Sequence, residues 1–120
     1  MTPLGEKIRR LRDERSITQK RMAADLGVSS AYLSALEQGK RGRPSWYLLQ
    51  RIITYFNVSW DDADEIVRLA RLSHPRVTID TSALSAKATE LANRLADDIA
   101  LLQDDQLESL LKGLDQAVSA

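Results

Sequence analysis

The side chains best suited to chemistry in this sequence are cations. Lys20 and Arg21 lie in "ITQKR", and Lys40, Arg41 and Arg43 crowd into "QGKRGRP". Guanidinium and ammonium groups gathered in this way suit a polyanion, whose oxygens accept charge-assisted hydrogen bonds. Covalent chemistry has no comparable set of residues. There is no cysteine, which excludes disulfides, thiolate zinc sites and thiol catalysis. The single histidine, His74, stands before Pro75 and has no second imidazole or thiol with which to complete a metal site. There is no glycine-rich phosphate loop and no nucleophile paired with a base. The expectation is a non-enzymatic protein with no catalytic residue, no metal and no cofactor.

Charge is divided along the chain. The 120 residues have a formal net charge of zero, yet residues 1–60 carry 11 Lys and Arg against 5 Asp and Glu, and residues 61–120 carry 6 against 12. The basic half is the side a polyanion would meet. The length allows one modest core and a small appendage. The longest apolar runs are about four residues, far below the roughly 20 of a membrane span, and "MTPLGEKIRR" has no apolar signal segment. No membrane association and a cytoplasmic location are therefore expected.

The elements that must position the cations have helical period. Leu4, Ile8 and Leu11 recur at steps of four and three. Thr18 is suited to cap a second helix carrying Met22, Ala23 and Leu26, which Gly27 closes in the left-handed conformation. Ser29 caps a third, with Leu33 and Leu36 facing inward and Gly39 at its end. After "KRGRP", Ser45 caps a helix whose Trp46, Leu49, Ile52, Ile53 and Phe56 form an apolar face, and Asn57 supplies a left-handed stop. Ser59 opens a fifth helix with Asp62 at the capping-box position, its acidic first turn complementing the helix dipole. Five short helices with a very short turn between the second and third fit the helix-turn-helix plan.

The segment "ITQKRMAADLGVSSAYLSALEQGKRGRPSWYLLQRIITYFNVS" resembles the phage repressor and Cro-like helix-turn-helix family, also called the XRE family. The resemblance runs through Thr18-Gln19, Ala23, Leu26-Gly27-Val28-Ser29, Leu33-Ser34, Leu36-Glu37, Gly39-Lys40 and Pro44-Ser45, and covers roughly residues 4–70. It implies an all-α fold, a five-helix Cro/lambda-repressor-like domain whose third helix enters the major groove of double-stranded DNA. Alignment to the family motif sets Ser30, Ala31 and Ala35 toward base edges, and Ser29, Tyr32 and Ser34 closer to the DNA backbone. Gln19 matches the family position that clamps a phosphate. Arg12 and Glu37 match a pair that joins the first helix to the end of the third.

The residues add a reading of their own. Lys20 and Arg21 sit in the first turn of helix two, where cations oppose the macrodipole at about 0.3 to 1 kcal/mol each, a cost that a bound phosphate would reverse. Gln38, Lys40, Arg41 and Arg43 cluster after helix three and could hold the opposite backbone or reach a minor groove. The recognition helix itself is poor in hydrogen-bonding reach, since Ser30, Ala31 and Ala35 offer no bidentate contact. Direct readout is expected to be limited, with DNA shape and paired half-sites supplying the rest.

One compact domain and an add-on are expected: the DNA-binding domain over residues 1–72, then a linker over 73–82 and a C-terminal helical hairpin over 83–120. In "SHPRVTIDTS" the alternation of Val77 and Ile79 suits a brief strand over Arg76 to Asp80, one that could pair with its counterpart in a second subunit. Beyond it Leu84, Leu91, Leu95, Ile99 and Leu102 draw an apolar stripe, continued by Leu107, Leu110 and Leu111 on a helix starting at Asp104. Such a hairpin is too small to bury its stripe alone and is assigned to dimerisation. The resemblance with this tail implies a homodimeric transcription regulator, most simply a repressor of a palindromic operator. The alternative is an antitoxin or protein-interaction adaptor whose hairpin holds a partner protein.

Overall fold

Six of the seven α-helices begin at a hydroxyl that satisfies a backbone N–H the helix cannot. The computed structural model describes residues 1–120, which form α1 (Pro3–Glu14), α2 (Gln19–Leu26), α3 (Ser30–Gln38), α4 (Trp46–Phe56), α5 (Trp60–Arg71), α6 (Ala86–Asp98), a 3-10 turn (Ile99–Leu101) and α7 (Asp104–Ser119). The hydroxyls of Thr2, Thr18, Ser29, Ser45, Ser59 and Ser85 accept from the N–H three residues on in α1 to α6. Stops are equally local. Gly27 and Gly39 take φ of 74° and 80°, and Asn57 takes 48°, so α2, α3 and α4 each end on a left-handed residue.

The chain divides into two compact units, Met1–Val77 and Thr78–Ala120. In the first, α1 packs on α3 and α5, α2 on α3 and α4, and α4 on α5. Leu4, Ile8 and Leu11 of α1 meet Met22, Ala23, Leu26, Leu33, Leu36, Leu49, Ile52, Phe56, Ile66 and Ala70 in one core. Trp46 is not part of it. At the first position of α4 its side chain turns to solvent, 65% exposed, and the apolar face starts at Leu49. Ile53 is half-buried against the core.

Polar straps close this unit where apolar contact runs out. The Ser73 hydroxyl accepts from the Leu4 N–H at 2.9 Å and donates to the Leu69 carbonyl at 2.6 Å, joining the end of α5 to the start of α1. Lys7, almost wholly buried, reaches Asp62 at 3.5 Å and Glu65 at 3.7 Å on α5. Arg15 donates to the Phe56 carbonyl at 3.2 Å and lies over its ring. Backbones approach closely between Gly5 and Glu37, where a Cβ on Gly5 would stand 2.8 Å from the Glu37 Cα and carbonyl carbon.

The second unit is helical but builds no core. No residue of α6 or α7 is buried, and no substantial contact joins the two helices, although α6 runs directly into the 3-10 turn. The expected strand over Arg76 to Asp80 is not formed. Val77 and Ile79 are exposed, and the chain offers no second strand whose N–H and carbonyl groups could pair with theirs. A local turn follows, in which the Asp80 carboxylate accepts from the Ser82 N–H at 2.9 Å. The Ser82 hydroxyl and N–H hold that carboxyl below its ordinary range.

Because the atoms facing Gly5 are backbone and cannot swing aside, Gly5→Ala is expected to cost about 1 to 3 kcal/mol through overpacking. Urea denaturation of the two proteins measures it as a lower midpoint with an unchanged slope.

Candidate nucleic-acid interface

Three residues, Gly27 to Ser29, separate α2 from α3. The left-handed Gly27 lets the chain reverse sharply, and the Val28 N–H bonds back to the Ala23 carbonyl at 3.0 Å. α3 is then fixed from beneath. Leu33 and Leu36 are buried in the core, and Glu37, 2% exposed, receives a hydrogen bond from Arg12 Nη2 on its Oε1 at 3.0 Å. The Glu37 carbonyl also accepts from the Thr2 N–H at 3.0 Å. Glu37 therefore meets α1 through its side chain, its carbonyl and its Cα.

With its inner side held, α3 turns Ser30 and Ala31 to solvent and leaves Tyr32, Ser34 and Ala35 half-buried. The Ser29 hydroxyl accepts from the Tyr32 N–H at 3.0 Å. Past Gly39, the N–H groups of Lys40 and Arg41 return to the Ala35 carbonyl at 2.9 and 3.4 Å, so the basic loop starts hard against the end of the helix. Gln38, Lys40, Arg41 and Arg43 are all exposed. Arg41 lies over the Tyr32 ring, 5.7 Å from its centroid, which holds the guanidinium beside α3 by a cation–π contact. Buried Pro44 anchors the far end of the loop.

The second basic segment is the start of α2, which packs on α3. Gln19 is half-buried, and Lys20 and Arg21 are exposed. The Thr18 hydroxyl occupies the Arg21 N–H at 3.0 Å, whereas the N–H groups of Gln19 and Lys20, at the first two helical positions, have no intrahelical acceptor. Asp25, one turn on, approaches Arg21 at 3.8 Å and accepts the Tyr55 hydroxyl at 2.7 Å. Desolvation, then the hydrogen bond to Asp25, pushes the Tyr55 phenol upward, so it stays a neutral donor and ties α2 to α4. First-turn charge separates the helices of the first unit: α1 carries Glu6 and α5 carries Asp61 and Asp62, but α2, α3 and α4 carry no acid there. Their positive ends remain uncompensated, which favours anions.

Lys7, Arg15, Thr2, Gly5 and the Asp25–Tyr55 bond escaped the sequence reading. Thr2 followed by Pro3 is a helix-start signal that was available. The remaining contacts are tertiary and leave no local mark. No cluster of His, Asp and Glu is placed to hold a metal ion, and His74 Nδ1 accepts only the Arg76 N–H, at 3.2 Å. No helix is long and apolar enough to cross a membrane.

A short helix set outward after a sharp turn, flanked by two basic segments and footed on a five-helix core, defines a helix-turn-helix DNA-binding protein. The helix-turn-helix domain family matches residues 3–69, and the chain belongs to it, as an XRE-like DNA-binding transcription regulator. The HTH-type transcriptional repressor RghR of Bacillus subtilis (strain 168) is 29% identical over 116 residues, 93% of this chain and 82% of that protein. The uncharacterized HTH-type transcriptional regulator RghRB of the same organism is 34% identical over 62 residues, 52% of this chain and 45% of that relative, so the match spans less than half of RghRB. A solved structure of a SinR protein/SinI protein complex aligns with 98% of this chain and 99% of that one, at 19% identity and a TM-score of 0.44.

The Arg12–Glu37 pair generates a stability prediction. Arg12→Ala leaves a buried, uncompensated carboxylate and is expected to cost about 3 to 5 kcal/mol, whereas Arg12→Met with Glu37→Leu, which removes both charges and keeps the volume, costs much less. Denaturant titration of the variants checks the difference.

Proposed function

We propose that the protein is a homodimeric repressor that occupies a palindromic operator in the cytoplasm and has no enzymatic activity. The observation that carries the DNA reading is the small-residue face of α3, with Ser30 and Ala31 exposed, in a chain segment that has exposed cations both before and after it. In this reading Ser30, Ala31 and Ala35 approach base edges. Gln19, Lys20, Arg21, Ser29, Tyr32, Ser34, Lys40, Arg41 and Arg43 meet the DNA backbone. Such small side chains discriminate little by themselves, so shape and the joint reading of two half-sites about 34 Å apart supply the specificity. The repressor sense is supported by RghR, whose similarity extends over most of this chain.

Self-association is supported by the second unit. Leu84, Leu91, Ile99, Leu110 and Leu111 are each at least 51% exposed, and Leu95, Leu102 and Leu107 are half-buried at best. An apolar stripe of this length on a free chain marks an interface. Pairing of two such units covers it by the simplest symmetry, and places two recognition helices on one molecule. A different protein could use the same stripe, and the oligomeric state decides between the two.

Two measurements test this reading. Arg43→Ala is expected to weaken specific and nonspecific duplexes alike and to reduce the salt slope of binding by about one unit per lost contact, doubled in a dimer. An unchanged slope with altered base preference would move Arg43 into a groove. In the full chain, Leu107→Asp with Leu111→Asp is expected to yield monomers by sedimentation and to weaken operator binding at least about tenfold through lost avidity. A parent chain that sediments as a monomer at micromolar concentration would assign the stripe to another partner.

A further inference from the structure

We propose that Gln38 reads a base edge and supplies the direct discrimination that the small side chains of α3 lack. The inference rests on the DNA-binding reading above and assigns Gln38 to the bases rather than to the phosphates. At about 100° per residue, Ser30, Ala31, Ser34, Ala35 and Gln38 share one side of α3, away from buried Leu33 and Leu36, with buried Glu37 beside the Ser30 edge of that arc. Gln38 falls near the middle of that arc, between the directions of Ser34 and Ala31. It is exposed. It is also the last helical residue, before Gly39 diverts the chain into the basic loop.

Helical side chains lean toward the helix N-terminus, so a long one at the final position extends back over the preceding turn. Here that turn is made by Ser34 and Ala35, whose short side chains leave the path open. The same short side chains let the helix lie close to a groove floor, which brings the Gln38 amide down with it. The amide presents one donor and one acceptor side by side, the arrangement that matches N6 and N7 of adenine in the major groove. A phosphate would engage only the donor half. The loop cations Lys40, Arg41 and Arg43 already supply the charge that a phosphate requires.

The test is a base-by-base preference profile of the full chain, drawn from a random duplex pool, beside Gln38→Ala and Gln38→Glu at fixed salt. The parent is expected to prefer A·T at one position in each half-site. Gln38→Ala loses about tenfold discrimination at that position alone, with the salt slope unchanged because no phosphate contact is lost. Gln38→Glu, an acceptor only, moves the preference there toward cytosine, and its added negative charge weakens binding overall. Circular dichroism confirms that these surface variants fold. Uniform weakening over all sequences with a lower salt slope places Gln38 on a phosphate and overturns the proposal, as does an unaltered profile in both variants. A parent that binds no duplex in a salt-dependent way overturns the DNA-binding reading itself, a separate failure visible before any variant is compared.

Discussion

The arrangement of the first unit depends on how Glu37 is held. One residue of α3 meets α1 by three different means: an ion pair to Arg12 at 3.0 Å, a carbonyl that accepts from Thr2, and a Cα pressed against Gly5. Only the first involves charge, and it is incomplete, since Arg12 Nε and Glu37 Oε2 have no hydrogen-bond partner. A buried pair of this kind is a weak source of net stability, because desolvation offsets most of its attraction. Its contribution is orientation. Apolar side chains such as Leu33 and Leu36 could slide within the core, whereas an Arg–carboxylate contact accepts a narrow range of angles. The helix that carries the DNA-facing surface is thereby fixed at its C-terminal turn, and Ser29 fixes its first.

This constraint also sets what remains free. With Glu37, Leu33 and Leu36 committed inward, the residues left outward are small or polar, and the cations are displaced to the start of α2 and the loop after α3. Under the proposed function, attraction and reading are thus carried by different residues. There the cations would confer affinity that depends on salt and ignores sequence. The outward face of α3 would contribute shape and close approach. Acidic first turns are confined, within this unit, to α1 and α5, so the positive ends of α2, α3 and α4 are left without a first-turn acid.

The features visible in the sequence were those with a local signature. Thr18, Ser29, Ser45 and Ser59 each precede a helix, and Gly27, Gly39 and Asn57 each end one, because caps are made within a single turn. The periodic leucines and isoleucines marked the core for the same reason. Trp46 misled because a first-turn aromatic satisfies the apolar pattern without having a neighbour to pack against. Lys7 was invisible since nothing local distinguishes a lysine that reaches Asp62 and Glu65 across two helices from one that meets water. The alternation at Val77 and Ile79 has the period of a strand, but a strand needs a partner, and periodicity alone cannot provide one. The site residues came by resemblance more than by physics. Thr18-Gln19 and Leu36-Glu37 carry a family pattern, whereas Asp25 and Tyr55 carry none and are joined only by the fold.

The second unit shows the opposite balance between local and tertiary information. Its helices are well specified by Ser85 and by the reciprocal bonds of Gln103 and Gln106, yet nothing within the chain buries their leucines. Caps and periodicity suffice to form α6 and α7, but isolated helices of this length are marginal in water without a face to pack. Burial of apolar surface at about 25 cal/mol per Å² is the largest favourable term still missing from this unit, and the proposed homodimer would supply it. Association and the ordering of the C-terminal helices would then be coupled. Loss of the partner would loosen α6 and α7 while leaving the core around Ile8, Met22 and Ile66 intact, because every buried apolar residue lies in the first unit. In the proposed homodimer, operator occupancy would then fall with concentration even though each recognition helix remained correctly folded, so that assembly, rather than the fold of the DNA-binding unit, would limit binding.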